Sequence, residues 1–401
     1  MRAAQAVAGA AAVVVALCAG LWLGGHPADL PQPLRDAFVD ESAGLSSEAT
    51  EVIEDNYFRD VPAVRLRNSS IDGMVRGLRR RYKDRFSHYF DPEDLKRFEE
   101  SISGRFSGVG LSVSEVDRGL RVANVFPHTP AARAGIRPGD VVVSVNDRSI
   151  AGQDSDVVTA RIKGPAGTKV TIGVLRPSTH RTRTVVLTRA EIEVPITTSR
   201  VRVVGGRKLG YVQLVSFTDG AHAALRKAVQ RVEERGAQGI VLDLRGNGGG
   251  LLQEAVLTAS IFLPKDQVVV STRSRTQGDT TYKTVGANLP PRPVVVLINR
   301  DTASAAEILT AALADDSGAK VVGTRSFGKG VFQQVMDLSN GGALDLTIGE
   351  YFTPNGVNLA GKGVHPDIHA LDDPHTKADE GLRKALAVLG GEVAGGAAPA
   401  G

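Results

Sequence analysis

Cysteine is almost missing from this chain of 401 residues, with Cys18 as its single representative. No internal disulfide can form, and a zinc site built on cysteines is excluded. The patterns His-Glu-x-x-His and Gly-x-x-x-x-Gly-Lys-Ser/Thr are also absent, so metalloprotease and nucleotidase chemistry have no support. Aromatic residues make up only 5%, no basic stripe is interleaved with them, and the net charge is a modest +4 spread along the chain. Nucleic acid is therefore not an expected partner. No internal repeat is evident. What is present is 42% hydrophobic and 23% charged residues, the composition of a globular protein with a sizeable core. The length leaves room for two or three domains.

Charge itself is missing from Ala3 to Ala28. Ala3 to Gly25 is a mostly small or apolar stretch long enough to cross a bilayer as a helix. Arg2 marks its cytoplasmic end, while Asp29, Asp36, Asp40 and Glu41 follow on the other side. The expectation is a single-pass anchor in the cell membrane with the rest of the chain outside the cytoplasm. A cleaved signal peptide is the main alternative, although no small-x-small site follows a short apolar core. Lipid attachment at Cys18 is disfavoured by the bulky Leu17 before it.

Residues 28–44 read as a linker and 45–103 as an N-terminal helical region. There Val52, Ile53, Tyr57 and Phe58 share one helical face, as do Ile71, Met74, Val75 and Leu78. Ser70 to Met74 is expected to start the second helix, and Asp91-Pro-Glu-Asp-Leu95 a third. The basic run Arg79 to Arg81 reads as a solvated helix end.

From Ser107 to about Arg189 the pattern changes to short strands with turns between them. Leu120 to Phe126 alternates, Thr129 to Gly135 reads as a short helix, and Val141 to Val145 is a strand ended by a tight Asn146-Asp147 turn. This run resembles a bacterial PDZ domain, assigned to 104–190. The resemblance implies that Phe106 to Val113 holds the terminal carboxylate of a peptide, with Gly108, Val109, Gly110 and Leu111 as its binding residues. A small β-rich spacer is the ordinary alternative.

After Glu191 strands alternate with helices, which indicates a mainly parallel or mixed sheet covered by helices over 191–389. A flexible tail at 390–401 closes the chain. Asp243 to Gly250, Asn299 to Ser304 and Gly323 to Gly330 all follow strands, where ligand sites of such sheets lie. Ser304 stands where a strand-like run gives way to an Ala-rich helix, beside unpaired N–H groups that favour negative charge. That suits a nucleophile, because the oxyanion it creates needs such donors. Lys329 lies in a Gly-rich stretch, and a lysine shielded from water can act as a general base. Each residue alone has a plainer explanation, Ser304 as a helix cap and Lys329 as a surface lysine. Asp315-Asp316 reads as a solvated turn rather than an acid/base pair.

In order, Ser70 to Met74, Gly104 to Gly110, Asp243 to Gly250, Thr302 to Ile308, Gly323 to Gly330, Tyr351 to Gly356 and Gly363 to Asp367 resemble the C-terminal processing peptidases, or tail-specific proteases. The resemblance runs from about residue 50 to 370. It implies Ser304 as nucleophile, Lys329 as general base and Gln333 as the residue orienting the lysine, on a strand face shared with Val331. It also implies an oxyanion hole from the N–H groups of Ala305 and of Gly248 or Gly249, with no metal or organic cofactor. Many members carry proline where this chain has Gly248, and threonine is common at the place of Ser326. The expected activity is that of a serine endopeptidase taking protein substrates with apolar C-terminal tails, with a homo-oligomer compatible. Two alternatives stay open: a Ser-His-Asp hydrolase using His365, and a catalytically inactive PDZ scaffold.

Overall fold

The computed structural model describes residues 41–153, 155–372, 376 and 378–395. The expected membrane segment lies outside them, as do most of the linker and the last residues of the tail. No helix among the described residues is long and apolar enough to cross a membrane. The chain divides into two compact units, one ending at Asp91 and the other starting at Pro92.

The first unit contains α1 (Glu41–Asn56), α2 (Ala63–Tyr82) and β1 (His88–Phe90). Ser70 to Met74 was expected to start a helix, but it lies in the middle of α2, which begins just after Pro62. The Ser-rich stretch looked like a boundary, yet the Ser70 hydroxyl donates back to the Leu66 carbonyl at 2.9 Å and stays within the helix. The two apolar faces are not covered either. Val52, Phe58, Met74 and Leu78 are exposed, and among the described residues of this unit Val75 is the only buried apolar side chain.

The second unit opens with α3 (Pro92–Ser103). Its proline at the first position and Glu93 and Asp94 in the first turn suit a helix start. Next come β2 (Arg105–Gly108), β3 (Leu111–Val116), β4 (Gly119–Val125), α4 (Pro130–Arg133), β5 (Val141–Val145), β6 (Arg148–Ser149), α5 (Ser155–Ile162), β7 (Lys169–Arg176), β8 (Arg181–Thr188) and β9 (Ala190–Glu193). The antiparallel sheet runs β3-β4-β5-β7-β8, with β3 at its edge, and β2 pairs with β9 below it. Asn146 and Asp147 both have positive φ, the geometry of a two-residue hairpin turn between β5 and β6. Inward side chains of these strands, among them Leu120, Val142, Ile150 and Ile172, form a separate core.

The larger layer begins with the hairpin β10 (Thr197–Val204) and β11 (Arg207–Leu214). It continues through α6 (Ala221–Glu234), β12 (Ile240–Asp243), α7 (Leu252–Phe262), β13 (Val268–Ser274), β14 (Gly278–Lys283), β15 (Val294–Ile298), α8 (Ala305–Ser317), β16 (Lys320–Gly323), β17 (Val331–Asp337), β18 (Ala343–Phe352), β19 (Ile368–His369) and α9 (Glu380–Gly395). The order β10-β11-β12-β15-β16-β19 is parallel from β11 onward. These strands are buried on both faces, so period two divides them between two cores. Val241, Val295, Leu297 and Val322 meet Leu382, Ala385, Leu386 and Leu389 of α9. Leu242, Val296, Ile298 and Val321 meet residues of α6, α7 and α8. Each such side chain contributes roughly 1.5–3 kcal/mol of burial. The antiparallel strands β13, β14, β17 and β18 form a second sheet that the alternation of strands with helices did not foretell. Asp315 and Asp316 belong to the last turns of α8, not to a turn beyond it.

An ionic cluster fastens α9 to the parallel sheet. Asp243 is fully buried and receives the Arg245 guanidinium at 2.8 Å and the Tyr211 hydroxyl at 3.0 Å. The same guanidinium reaches Asp372 and Asp379, each at 2.9 Å. Removing Asp243 leaves a cation and a hydroxyl without their buried acceptor. Asp243→Ala is expected to lower unfolding stability by about 3 kcal/mol, against about 1 kcal/mol or less for the more exposed Asp379→Ala. Urea unfolding reads both, and equal small losses would show that the cluster does not hold the helix.

Candidate active site

The ends of β12, β15 and β16 bring three loops to one edge of the sheet. Thr302 donates its hydroxyl to the Leu244 carbonyl at 2.9 Å, and its own carbonyl accepts from the Phe327 N–H at 2.9 Å. Ala303 N–H reaches the Asn247 carbonyl at 2.9 Å, while the Asn299 side chain accepts from Gly246 N–H at 2.9 Å. The loops are therefore stitched to one another, not only to their strands. Beside them an open groove of about 1070 Å³ runs between Asn299–Asp301 and Thr324–Phe327. His365 lines that groove and is exposed. Among the described residues no hydrogen bond joins it to Ser304, so a Ser-His pairing gains nothing from the geometry.

Ser304 is half-buried and immediately precedes α8. Its backbone sits at φ 55 and ψ −121, a conformation rare for a residue with a side chain. The surroundings hold it there. Glu307, on the first turn of α8 and fully buried, accepts the Ser304 N–H at 2.9 Å. The same carboxylate accepts the N–H groups of Gly328 at 2.8 Å and Lys329 at 3.0 Å, and the Ser326 hydroxyl. Ser304 and Lys329 thus share one carboxylate oxygen through their backbones.

Lys329 is half-buried. Its ammonium is held below the ordinary lysine range by burial, which outweighs the upward pull of Asp345 and then Glu307. The loop carrying it packs tightly: a Cβ on Gly330 would lie 2.4 Å from the Ala360 nitrogen. Gln333 donates from its side-chain amide to the Thr347 hydroxyl at 3.1 Å. Plain alternation does not relate it to Lys329, because β17 starts at Val331 and its register shifts between Phe332 and Gln333.

Tyr351 is buried on β18 beside these groups. Burial first, then the Glu307 charge, pushes its phenol well above the ordinary range, with Ser304 acting weakly the other way. Its hydroxyl makes no hydrogen bond of good geometry, so Tyr351 and Ser304 are neighbours and not a bonded pair.

Of the two glycines expected at the oxyanion, Gly249 lies against Ser304. A Cβ there would fall 2.8 Å from the Ser304 Cβ and 2.9 Å from the Ala305 nitrogen, and its φ of +97 already demands glycine. Its N–H donates to Asn247 Oδ1 at 2.9 Å. Gly248 is exposed, and its N–H has no partner among the described residues. Ala305 is the first residue of α8, so its N–H has no partner within the helix.

Four residues of the expected peptide-binding loop sit together at the start of β3. Gly108 pairs with Ala190, Val109 is buried in the small core, Gly110 accepts from Phe126 N–H at 3.0 Å, and Leu111 opens the edge strand.

Glu307, Asp345 and Tyr351 were not singled out in the sequence. For Glu307 a signal existed, since Ser304-x-x-Glu307 has the spacing of a capping box. Asp345 and Tyr351 sit on a strand whose pairing partner could not be read in advance.

Comparison with known proteins matches both the PDZ-like layer and the larger layer. Peptidase family S41 matches residues 208–370, and the PDZ domain matches 107–187. A CtpA-like serine protease of Staphylococcus haemolyticus (strain JCSC1435) is 34% identical over 80% of this chain and 63% of its own length. The carboxy-terminal processing protease CtpA of Bacillus subtilis (strain 168) is 31% identical over 92% of this chain and 78% of its own. Among solved structures, the photosystem II D1 C-terminal processing protease superposes with a TM-score of 0.50 at 29% identity, covering 89% of this chain and 99% of that one. With an α/β peptidase layer, a PDZ insertion and relatives named for this processing, the chain belongs to peptidase family S41, among its carboxy-terminal processing serine proteases.

Proposed function

We propose that the protein is a membrane-anchored endopeptidase that captures apolar C-terminal tails of protein substrates and cleaves them by Ser/Lys catalysis. The observation carrying this reading is the shared Glu307 carboxylate, which ties the Ser304 and Lys329 backbones together at the end of the sheet. Ser304 Oγ attacks the scissile carbonyl while its proton passes to the neutral Lys329 Nζ. The oxyanion forms against the Ala305 N–H and the Gly248 or Gly249 N–H at the start of α8. Lys329 then returns the proton to the departing amine. A water, deprotonated by Lys329, hydrolyses the acyl-enzyme and frees Ser304. Gln333 orients the lysine from β17.

Tail capture has its own support. The strand β3 is at the edge of its sheet, beside the Gly108–Leu111 loop, so an extended peptide can add to it as a further strand. Anchoring is supported by the uncharged stretch from Ala3 to Ala28, and the flanking Arg2 and Asp29 support an orientation with the catalytic unit outside the cytoplasm. The uncovered apolar side chains of α1 and α2 support self-association.

Ser304→Ala and Lys329→Ala are each expected to lower kcat/KM at least about a thousandfold on an unfolded protein with an apolar tail, while the tail still binds. Cleavage that survives Lys329→Ala but fails with His365→Ala would overturn the assignment. Cleavage that is absent in the parent protein, with binding intact, would identify a scaffold.

Lys329 must be neutral to take the proton, so activity rises with pH through its titration. Burial places that rise below the ordinary lysine range, and Asp345 pulls it back up. Asp345→Asn is therefore expected to move the acid limb of kcat/KM to lower pH. A limb at the ordinary lysine position, or a shift upward, would exclude Lys329 as the base.

A further inference from the structure

Six of the ten residues from Arg76 to Arg85 are positively charged, against a single acid, Asp84. Five of the cations, Arg76, Arg79, Arg80, Lys83 and Arg85, line one open pocket of about 600 Å³ in the first unit. Gly73 forms part of its wall, and a Cβ there would meet nothing within 4 Å. Lys83 ends α2 at φ 55 and ψ 26, a left-handed conformation uncommon for a residue with a side chain. That turn brings Arg85 to the pocket that the helical cations line. Arg76 pairs with Asp72 at 3.0 Å. Among the described residues no carboxylate lies within ion-pair distance of Arg79, Arg80 or Lys83. Asp84 has both carboxylate oxygens on the chain after it, accepting the N–H groups of Phe86 and Ser87 and the Ser87 hydroxyl. A helix C-terminus favours positive charge, which accounts for a basic residue in the last turn but not for this spacing. Arg79 and Arg80 each stand three or four residues from both Arg76 and Lys83, where like charges destabilise a helix. A bound anion relieves that repulsion.

We infer that this pocket binds the phosphate of an anionic lipid headgroup and so holds the first unit against the membrane surface by α2. This rests on the anchoring reading given above. A guanidinium takes a phosphate through two parallel hydrogen bonds, and four of the five cations are arginine. The room left by the missing side chain of Gly73 is where that phosphate fits. Only residues 29–40 separate the uncharged stretch from α1, at most about 40 Å of extended chain. A bilayer within that reach presents phosphate at far higher local density than solution does. Met74, Leu78 and Tyr82 recur every fourth residue of α2 and are exposed. Helical periodicity puts them on the side away from Arg76, Arg80 and Lys83. The pocket therefore stays open to a lipid when the apolar side is used for self-association.

The test uses the full chain in a neutral detergent, titrated calorimetrically with dihexanoyl phosphatidylglycerol below its own micelle concentration. Saturable binding that weakens with added salt is expected, with none for dihexanoyl phosphatidylcholine. Arg79→Gln and Arg80→Gln should each weaken it about fivefold, the contribution of one basic side chain at an anionic surface. Arg81→Gln removes the same charge outside the pocket and should leave binding unchanged. Gly73→Leu keeps every charge, favours the helix and should abolish binding by filling the pocket. An equal loss in Arg81→Gln, or full binding in Gly73→Leu, overturns the site in favour of diffuse surface charge. Inorganic phosphate binding as tightly as the lipid overturns the headgroup assignment, and the absence of saturable binding overturns the inference outright. Anchoring is read separately, by flotation of the full chain with vesicles of phosphatidylcholine alone, which the pocket does not bind. Failure there with the titration intact removes the anchoring reading, while the headgroup site stands on the titration.

Discussion

A carboxylate with no exposure to water, Glu307, accepts hydrogen bonds from four donors on two different loops. An isolated charge in such a place would cost several kcal/mol. Here three backbone N–H groups and a hydroxyl replace its water, and it lies at the positive end of α8. The arrangement tolerates no half measure, because each donor without the acceptor would be a buried polar group unpaired. The loops carrying Ser304 and Lys329 are consequently fixed relative to one another. Glu307 also has an electrostatic cost for the chemistry, as its charge favours the protonated form of Lys329. Burial acts against it more strongly, and the lysine ends below its ordinary range. The position of the base is bought with part of its acidity shift.

Ser304 shows the same balance in the backbone. A residue with a side chain at φ 55 and ψ −121 stores about 1–3 kcal/mol. The bond from its N–H to Glu307 and the first turn of α8 offset that strain. A serine in relaxed capping geometry would use its hydroxyl on the helix and would not be free to react. Gly249 completes the arrangement from the opposite side, since any larger residue there would meet the Ser304 side chain.

Much of this was legible in the chain. The strands β5, β11, β12 and β15 stood out because a buried parallel strand, or a strand with one covered face, imposes an apolar pattern that can be read locally. The helix α6 declared itself by its spacing, and the order of three loops after three strands located the site. The helices α1 and α2 were legible from their spacing, but the start of α2 was not, because Ser70 bonds back to Leu66 and stays within the helix. The family resemblance paired Gln333 with Lys329, and the alternation that agreed with it does not hold across the register shift in β17. Glu307 was present in the motif and passed over, as acid residues in a first helical turn are ordinary. Its importance comes from Gly328 and Lys329, more than 20 residues away in sequence, and no local pattern carries that.

The glycine at 248, where many relatives have proline, first reads as a weakness in the loop that meets the oxyanion. The neighbours argue otherwise. Asn247 is anchored by its side chain to the Leu214 carbonyl at 2.9 Å and by its own carbonyl to Ala303, while Gly249 is held by Asn247 Oδ1. The loop is thus fixed on both sides of Gly248, and ring rigidity between those points is not needed to hold it. Proline would also remove an N–H. Glycine at 248 thus gives up ring stiffness that the anchored asparagine already provides, and it keeps an N–H that proline would lack.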